Sequence, residues 1–241
     1  MEDVPQPEAT AAPVFPPPAP SGNAPTPLRP LRVLFQAFCA GDIAEPLAGA
    51  APGAAEPVVP SSAPLLDVIH LLREQERVFV AGPEGVEGWI TRHDLQKLPG
   101  RTWLFGMVAF IEMYFTQRIR WRWTEAEWAR QLTANRLGKA REVLAERIRR
   151  GERCSLLDCL QLSDKAQLLI NDPAELAQLG YASKKAARKA VGNLELLRNN
   201  LAHSQPIVDA YWTQIANLVL RIEQILTEDT PAAGPGGHGA G

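Results

Sequence analysis

Apolar side chains recur every three or four positions through most of the second half of the chain. The pattern is strongest in segments 184–202 and 206–227, where one side of each predicted helix is largely apolar. The inward positions are Ala187, Ala190, Val191, Leu194, Leu197 and Leu201 in the first, and Val208, Tyr211, Ile215, Leu218, Ile222 and Ile225 in the second. This spacing is typical of amphipathic helices that share a core. Ser183 is placed to cap the first helix, and Pro206 suits the first turn of the second.

Further helices are predicted upstream of these two. They cover segments 101–121, 135–150 and 155–170, and the 135–150 helix is expected to point inward Leu137, Val143, Leu144 and Ile148. The connections between the helices are short. Residues 101–229 are therefore predicted to form an all-α bundle of four or five helices.

Residues 29–99 have a mixed pattern that predicts a small α/β unit. Its elements are a helix over 64–73, a strand over 77–81, a turn at 82–85, a returning strand over 86–90, and a helix over 92–98 capped by Thr91. The stretch 46–64, rich in alanine and proline, is predicted to be a long surface connection. The fold class is therefore α+β, with this unit followed by the bundle.

The two ends of the chain differ in composition from these units. Residues 1–27 contain nine prolines, and residues 230–241 are mostly glycine, alanine and proline. Neither segment has enough apolar surface to offset the entropy of ordering, so both are predicted to be disordered. The apolar run Trp103–Phe115 has 13 residues, whereas about 20 are needed to span a membrane. An acidic start without an apolar stretch predicts no signal peptide, and we expect a cytoplasmic protein without membrane association.

Charge is unevenly distributed, although the net charge of the whole chain is only −2. Residues 101–205 have 18 basic against 11 acidic side chains, whereas residues 1–100 have 6 against 12. A basic bundle fits a polyanion such as RNA, although a solvated helical surface is the commoner reason for such charge. Arg118, Arg120 and Arg122 suit the negative end of the helix dipole, so structure alone explains them. The alternative is that they flank an RNA groove in which Trp121 and Trp123 stack on bases. No feature of the sequence indicates DNA.

The cysteines and histidines do not predict a metal site. Cys39, Cys154 and Cys159 are odd in number and lack the spacing of metal ligands, and the four histidines are scattered. We therefore expect free thiols, no metal, and no cofactor for catalysis.

One short stretch near the end of the 184–202 segment concentrates polar chemistry. Residues Arg198-Asn199-Asn200-Leu201-Ala202-His203 place a permanent cation, two amides and an imidazole within six residues. Asn199 and His203 are four apart and share a helix face, whereas Arg198 and His203 diverge by about 140° on a straight helix. Either the helix ends near Ala202 and His203 turns outward, or a second copy of the chain completes the site. Pro206 favours the first alternative, since the residue before proline avoids helical geometry.

These residues resemble the Arg-x4–6-His signature of HEPN domains, helical bundles that include many metal-independent ribonucleases. The upstream run Leu156-Leu157-Asp158-Cys159-Leu160-Gln161, followed by Asp164 and Lys165, is similar to a block that precedes this signature in a subset of HEPN proteins. The resemblance implies a homodimer whose two protomers build one site, which would resolve the divergence of Arg198 and His203. It also implies cleavage of RNA by the RNA's own 2′-OH.

The HEPN resemblance assigns a role to each residue of the signature. His203 would transfer protons, Arg198 would stabilise charge on the phosphorane, and Asn199 would position His203 or the scissile phosphate. Asn200, Asp164 and Lys165 are expected to support them, and the last two would orient Arg198 or contact the substrate. The alternative for Asp164 and Lys165 is a structural ion pair inside the bundle.

The end of the α/β unit resembles one CBS motif. The resemblance is carried by Gly88-Trp89-Ile90-Thr91-Arg92-His93-Asp94, after the predicted hairpin. It implies an adenosine nucleotide as regulator, with Asp94 accepting from ribose hydroxyls and Thr91 donating to phosphate. The alternative is a helix-capping pair. Because CBS motifs normally work in pairs, a single one also implies a dimer.

Two functions follow from the sequence and remain open at this point. One is a metal-independent HEPN-type endoribonuclease that a nucleotide regulates through the CBS-like unit. The other is a non-catalytic dimerisation or RNA-binding module, in which Arg198 and His203 are structural hydrogen bonders.

Overall fold

A computed structural model of the protein describes residues 36–47, 52–53 and 55–228. The segments predicted to be disordered, 1–27 and 230–241, lie outside these residues, so the structure does not test that prediction. Within the described range the chain is mixed α and β, and helix predominates.

Four strands of the described chain form one small sheet. They are β1 (Glu45–Pro46), β2 (Val58–Pro60), β3 (Arg77–Gly82) and β4 (Gly85–Thr91), in the order β1-β4-β3-β2. Helix α1 (Leu65–Glu74) connects β2 to β3, which are parallel, and the other pairs are antiparallel. The helix and hairpin predicted from the sequence are confirmed to within a residue or two.

The two outer strands correct the prediction that residues 46–64 are only a surface connection. Both are very short and contain proline, which is tolerated at a sheet edge because no partner there needs its missing N–H. β1 approaches β4 closely at Gly88, where an added Cβ would lie 2.5 Å from the carbonyl oxygen of Glu45. A glycine is therefore required at that position.

The segment after β4 also differs from its prediction. It forms a single 3-10 turn, Arg92–Gln96, instead of a helix to residue 98. The long helix α2 (Leu98–Arg122) then begins directly, with Pro99 in its first turn. Trp103, Leu104 and Met107 are fully buried on this helix. No linker therefore separates the sheet from the helical region.

Between α2 and the last pair of helices, the helix predicted over 135–150 is confirmed to within one residue, whereas the helix predicted over 155–170 is divided. The helical segments of this region are α3 (Glu125–Ala129), α4 (Ala134–Arg149), a 3-10 turn (Leu156–Cys159), α5 (Leu162–Asn171) and α6 (Pro173–Gln178). The single helix predicted over 155–170 is wrong, since Ser155 with Asp158 and Gln161 with Asp164 each start a separate helical segment. The inward assignment of Val143 and Ile148 is also wrong, because both are exposed.

The last two helices are α7 (Lys184–Ala202) and α8 (Trp212–Glu228). The limits predicted for α7 and its cap by Ser183 are confirmed, since the Ser183 hydroxyl accepts from the amide of Ala186. The prediction that α8 begins near Pro206 is wrong by about two turns. Residues 203–211 form a loop instead.

One buried apolar core runs through both units. It includes Val68 and Ile69 of α1, Met107 of α2 and Ile222 of α8. Helix α1 packs against α8, and His70 Nε2 lies 2.7 Å from Glu223 Oε1 across that contact. α2 also contacts α5, α7 and α8. The sheet is therefore fixed against the same helices that present the polar stretch of α7.

Candidate active site at the end of α7

The polar stretch predicted from the sequence lies on the surface at the C-terminal end of α7. Arg198, Asn199 and His203 are exposed, and Asn200 is half-buried. The helix ends at Ala202, as predicted, and His203 is its C-terminal cap with φ −104° and ψ 16°. The next residue, Ser204, has φ 54°, a left-handed conformation that side chains other than glycine rarely adopt. The chain thus reverses direction immediately after the imidazole.

Two of the three signature side chains contact each other. The guanidinium of Arg198 donates through Nη1 to the amide oxygen of Asn199 at 3.1 Å. The His203 amide donates to Asn199 O at 3.0 Å, and its own carbonyl accepts from Gln205 Nε2 at 3.1 Å. Within the described residues, no carboxylate pairs with Arg198 or with the His203 imidazole. The cation and the imidazole are therefore available to a ligand.

One chain does not direct Arg198 and His203 to the same point. The amide of His203 keeps the helical hydrogen bond to Asn199 O, although its φ and ψ lie outside the helical region. The divergence of about 140° expected from five helical steps therefore still applies. Asn199 shares the face of His203, as does Leu196, whose side chain is 51% exposed. A large exposed apolar side chain beside polar site residues is typical of a surface that another molecule covers.

Arg101 holds the backbone of this helix end, a role that the sequence analysis missed. Its guanidinium donates to the carbonyls of Asn200 (2.9 Å), Leu201 (3.1 Å) and Gln205 (2.9 Å). Gln96 accepts from the amide of Ile207 at 3.0 Å. No side-chain pattern could indicate these contacts, because the partners are backbone atoms about a hundred residues away.

The two supporting residues on α5 have structural partners. Asp164 is buried and accepts from Arg136 of α4, and Lys165 is buried and donates to Glu112 of α2 at 2.9 Å. The ion-pair alternative for both residues is thereby confirmed, with two separate partners. Arg198 is bound to Asn199 instead.

In the CBS-like turn, the polar groups of Thr91 and Asp94 are hydrogen-bonded to each other. Asp94 is buried and accepts from the amide of Thr91 (2.7 Å), the hydroxyl of Thr91 (2.9 Å) and Lys97 Nζ (2.9 Å). Burial disfavours the charge on Lys97, but hydrogen bonds to Glu45 and Asp94 outweigh it and raise the pKa of Lys97 above its usual value. Thr91 and Asp94 thus form the capping pair that the sequence offered as the alternative.

The arginines at the end of α2 are neutralised by carboxylates. Arg118 donates to both oxygens of Glu175, at 3.0 and 2.8 Å, Arg120 pairs with Asp158, and Arg122 lies 3.2 Å from Asp172. Arg118 also stacks over Trp121 at 5.3 Å. These contacts hold α2 against the segments around α6. They account for the basic cluster as part of the fold, so RNA is not needed to explain it.

A separate cleft of about 550 Å³ opens between α2, α7 and α8. Its floor is apolar, with Ile111, Phe115 and Leu218, while Lys189 and Gln214 contribute polar groups. Ala190 and Leu194, predicted to be inward, line this cleft and are only half-buried for that reason. Arg198 and His203 are outside it.

The remaining observations concern metal ions, membrane-spanning helices and similarity to known proteins. Among the residues described, no three or more His, Cys, Asp or Glu side chains are grouped to hold a metal ion. In the same part of the chain, no helix is both long and apolar enough to cross a membrane. The chain matches no family model, no curated protein and no solved structure.

Proposed function

We propose that this protein is a metal-independent endoribonuclease of the HEPN type that acts as a homodimer. The observation that carries the proposal is the joint exposure of Arg198, Asn199 and His203 at one helix end. Within the described chain none of these three has a carboxylate partner, so the guanidinium and the imidazole are free to bind a phosphodiester. The resemblance to the HEPN signature supplies the reaction.

The proposed reaction is a transesterification within the RNA. The 2′-oxygen forms a bond to the adjacent phosphorus while the bond from phosphorus to the 5′-oxygen breaks. One proton leaves the 2′-OH and another reaches the 5′-oxygen, which gives a 2′,3′-cyclic phosphate and a 5′-OH. His203 transfers a proton, and Arg198 stabilises the charge that develops on the phosphorane oxygens. Asn199 holds the guanidinium through the bond at 3.1 Å.

The dimer is part of the proposal because one chain leaves its cation and imidazole pointing apart. A two-fold axis beside the end of α7 would bring Arg198 of one protomer towards His203 of its partner. Exposed apolar side chains lie nearby for such an interface. Leu98 and Phe105, seven apart on α2, are 77% and 47% exposed, and Arg101 between them contacts the end of α7.

An adenosine nucleotide at the CBS-like turn is the regulatory part of the proposal. Because Asp94 is already bound by Thr91 and Lys97, a nucleotide there must replace these hydrogen bonds. Thermal unfolding with millimolar ATP, ADP and AMP tests this part. A higher melting temperature that the variant Thr91→Ala lacks supports it, and no shift with any nucleotide rejects it.

The second candidate is a non-catalytic dimerisation or RNA-binding module. It is favoured by the structural pairing of Asp164 and Lys165, which leaves the site with fewer charged groups than the resemblance implies. An RNA-binding module would retain RNA without cutting it. Arg198→Ala would then weaken RNA binding. The RNA would keep its full length with the wild type and with His203→Ala alike.

Incubation of the protein with structured RNA in EDTA separates the two candidates. The enzyme is expected to release fragments with 2′,3′-cyclic phosphate ends, and His203→Ala should lower the rate about 10²- to 10⁴-fold. His93→Ala is the matched control, since His93 is another exposed histidine, whose Nε2 lies 2.9 Å from Asp209. Cleavage that persists in His203→Ala, or that requires Mg²⁺, rejects the ribonuclease.

A further inference from the structure

The last turn of α7 is bound by a guanidinium that belongs to another helix. Arg101 lies in the first turns of α2 and donates to the carbonyls of Asn200, Leu201 and Gln205, at 2.9, 3.1 and 2.9 Å. The last carbonyls of a helix have no partners within the helix and usually bind water or a cap. Here one side chain donates to two carbonyls of the last helical turn, those of Asn200 and Leu201, and to the carbonyl of Gln205 in the loop that follows.

The acceptors of Arg101 lie on both sides of His203 in the sequence. Asn200 and Leu201 precede the imidazole, and Gln205 follows it, so the guanidinium holds together the two arms of the reversal. The reversal includes Ser204 with its left-handed φ of 54°. A conformation that is intrinsically uncommon persists only where surrounding contacts fix it.

A second contact fixes the chain just beyond the reversal. Gln96 Oε1 accepts from the amide of Ile207 at 3.0 Å, and the amide of Gln205 donates to Asn200 O at 2.9 Å. The imidazole of His203 has no side-chain partner among the described residues. The direction of the imidazole therefore depends on the backbone around His203, and Arg101 holds that backbone through its hydrogen bonds.

We propose that Arg101 is a positioning residue of the α7 site, which fixes the direction in which His203 leaves the end of the helix. The inference rests on the proposed ribonuclease function for its catalytic consequence. Arg101 makes its contacts to carbonyls instead of substrate, so its loss should change the geometry of the site more than RNA binding. A displacement of about 1 Å at a reacting group can cost roughly 10²-fold in rate.

The chain offers a closely matched control in Arg92. Its Nε donates to the carbonyl of Leu72 at 2.8 Å and its Nη2 to that of Arg73 at 3.3 Å. Arg92 also stacks over Trp212 at 4.6 Å. It thus holds the C-terminal carbonyls of α1 in the way that Arg101 holds those of α7, and its acceptors belong to a different helix end.

The test compares Arg101→Met, Arg101→Lys and Arg92→Met in two measurements. The first is kcat and KM for RNA cleavage in EDTA, and the second is hydrogen exchange of the amides of residues 203–205 and 207. Arg101→Met is expected to lower kcat about 10- to 100-fold with KM within about twofold, and to speed the exchange. Arg101→Lys should recover part of kcat, since an ammonium reaches some of the carbonyls. Arg92→Met should change neither measurement.

Distinct results overturn the two proposals. An Arg101→Met protein that cuts RNA at the wild-type rate overturns the positioning role, as does unchanged exchange at 203–205 and 207. Equal losses of kcat in Arg101→Met and Arg92→Met, in step with their melting temperatures, also overturn it and leave Arg101 as a general stabiliser. A wild-type protein that cuts no RNA rejects the ribonuclease itself, whatever the exchange measurement shows.

Discussion

The C-terminal ends of α2 and α7 both include basic side chains, and these differ in their partners. At the end of α2, Arg118, Arg120 and Arg122 are each paired with a carboxylate from a neighbouring segment. At the end of α7, Arg198 contacts only a neutral amide, and His203 has no carboxylate partner in the described chain. The comparison teaches that positive charge at a helix end does not identify a binding site. The partner of each charge decides whether it stabilises the fold or remains available to a ligand.

The largest effect should come from breaking the most buried ion pair at the end of α2. The side chains of Arg118 and Glu175 are 14% and 4% exposed. Arg118→Ala would remove both hydrogen bonds of Arg118 to the buried Glu175 carboxylate and leave only Arg122, whose Nε is 4.0 Å away. We therefore expect the free energy of unfolding to fall by about 3 kcal/mol. Urea denaturation measures it. Arg130→Ala, at an exposed arginine, is the control. A loss below about 1 kcal/mol would mean that this cluster is not structural.

A smaller loss of stability is expected when acid protonates the carboxylates of the same cluster. Burial would raise the pKa of Asp158, but bonds from the amide and hydroxyl of Ser155 and the charge of Arg120 outweigh it and lower the pKa. The pKa of Asp172 is lowered too, since bonds from the amides of Glu175 and Ala174 and from Arg122 outweigh burial. A carboxyl with a lowered folded-state pKa stabilises the protein above its unfolded pKa, near 3.8. That stability is lost as pH falls through the folded-state value.

The measurement is the urea midpoint between pH 7 and pH 2.5 for the wild type and for Asp158→Asn with Asp172→Asn. The wild type should lose stability below about pH 4, and the double variant should lose less over the same interval. Asp67→Asn, at an exposed aspartate of α1, is the control. Identical pH profiles for all three proteins would show that the ion pairs at the end of α2 contribute nothing to stability.

The smallest effect on stability should come from the end of α7. Arg198→Ala and His203→Ala remove exposed side chains that have no carboxylate partner among the described residues. Each should therefore change the free energy of unfolding by no more than about 0.5 kcal/mol. The same urea titrations measure this. A loss of 2 kcal/mol or more in either variant would show that the side chains at the end of α7 stabilise the fold, as those at the end of α2 do.

The sequence predicted those elements whose signals are local. Ser183 and the apolar repeat set the limits of α7, and Gly82 and Gly85 bracket the hairpin turn. The exposure of His203 also follows from the local pattern, since it lies opposite the apolar stripe of α7. Arg198 shares the face of Val191, Leu194 and Leu201, so the local pattern does not predict its exposure. These features depend on residues close together in the chain.

The remaining features depend on pairs that are distant in sequence. β1 and β2 are two and three residues long, and only their partners β4 and β3 make them strands. α8 begins at Trp212 because the preceding loop is bound by Gln96 and Arg101, although Pro206 would suit a first helical turn. The partners of Asp164 and Lys165 similarly depend on how α4 and α2 pack against α5.

The central proposal is that each RNA-cutting site takes residues from the α7 ends of both protomers, so that a dimer has two such sites. Co-expression of Arg198→Ala and His203→Ala chains with different tags, followed by purification through both tags, yields dimers with one chain of each kind. If each site takes its guanidinium from one protomer and its imidazole from the other, a mixed dimer has one complete site of two. It should then cut RNA in EDTA at about half the wild-type rate, while each variant alone is nearly inactive. A mixed dimer as inactive as its parents, or a parent that cuts like the wild type, would contradict the claim.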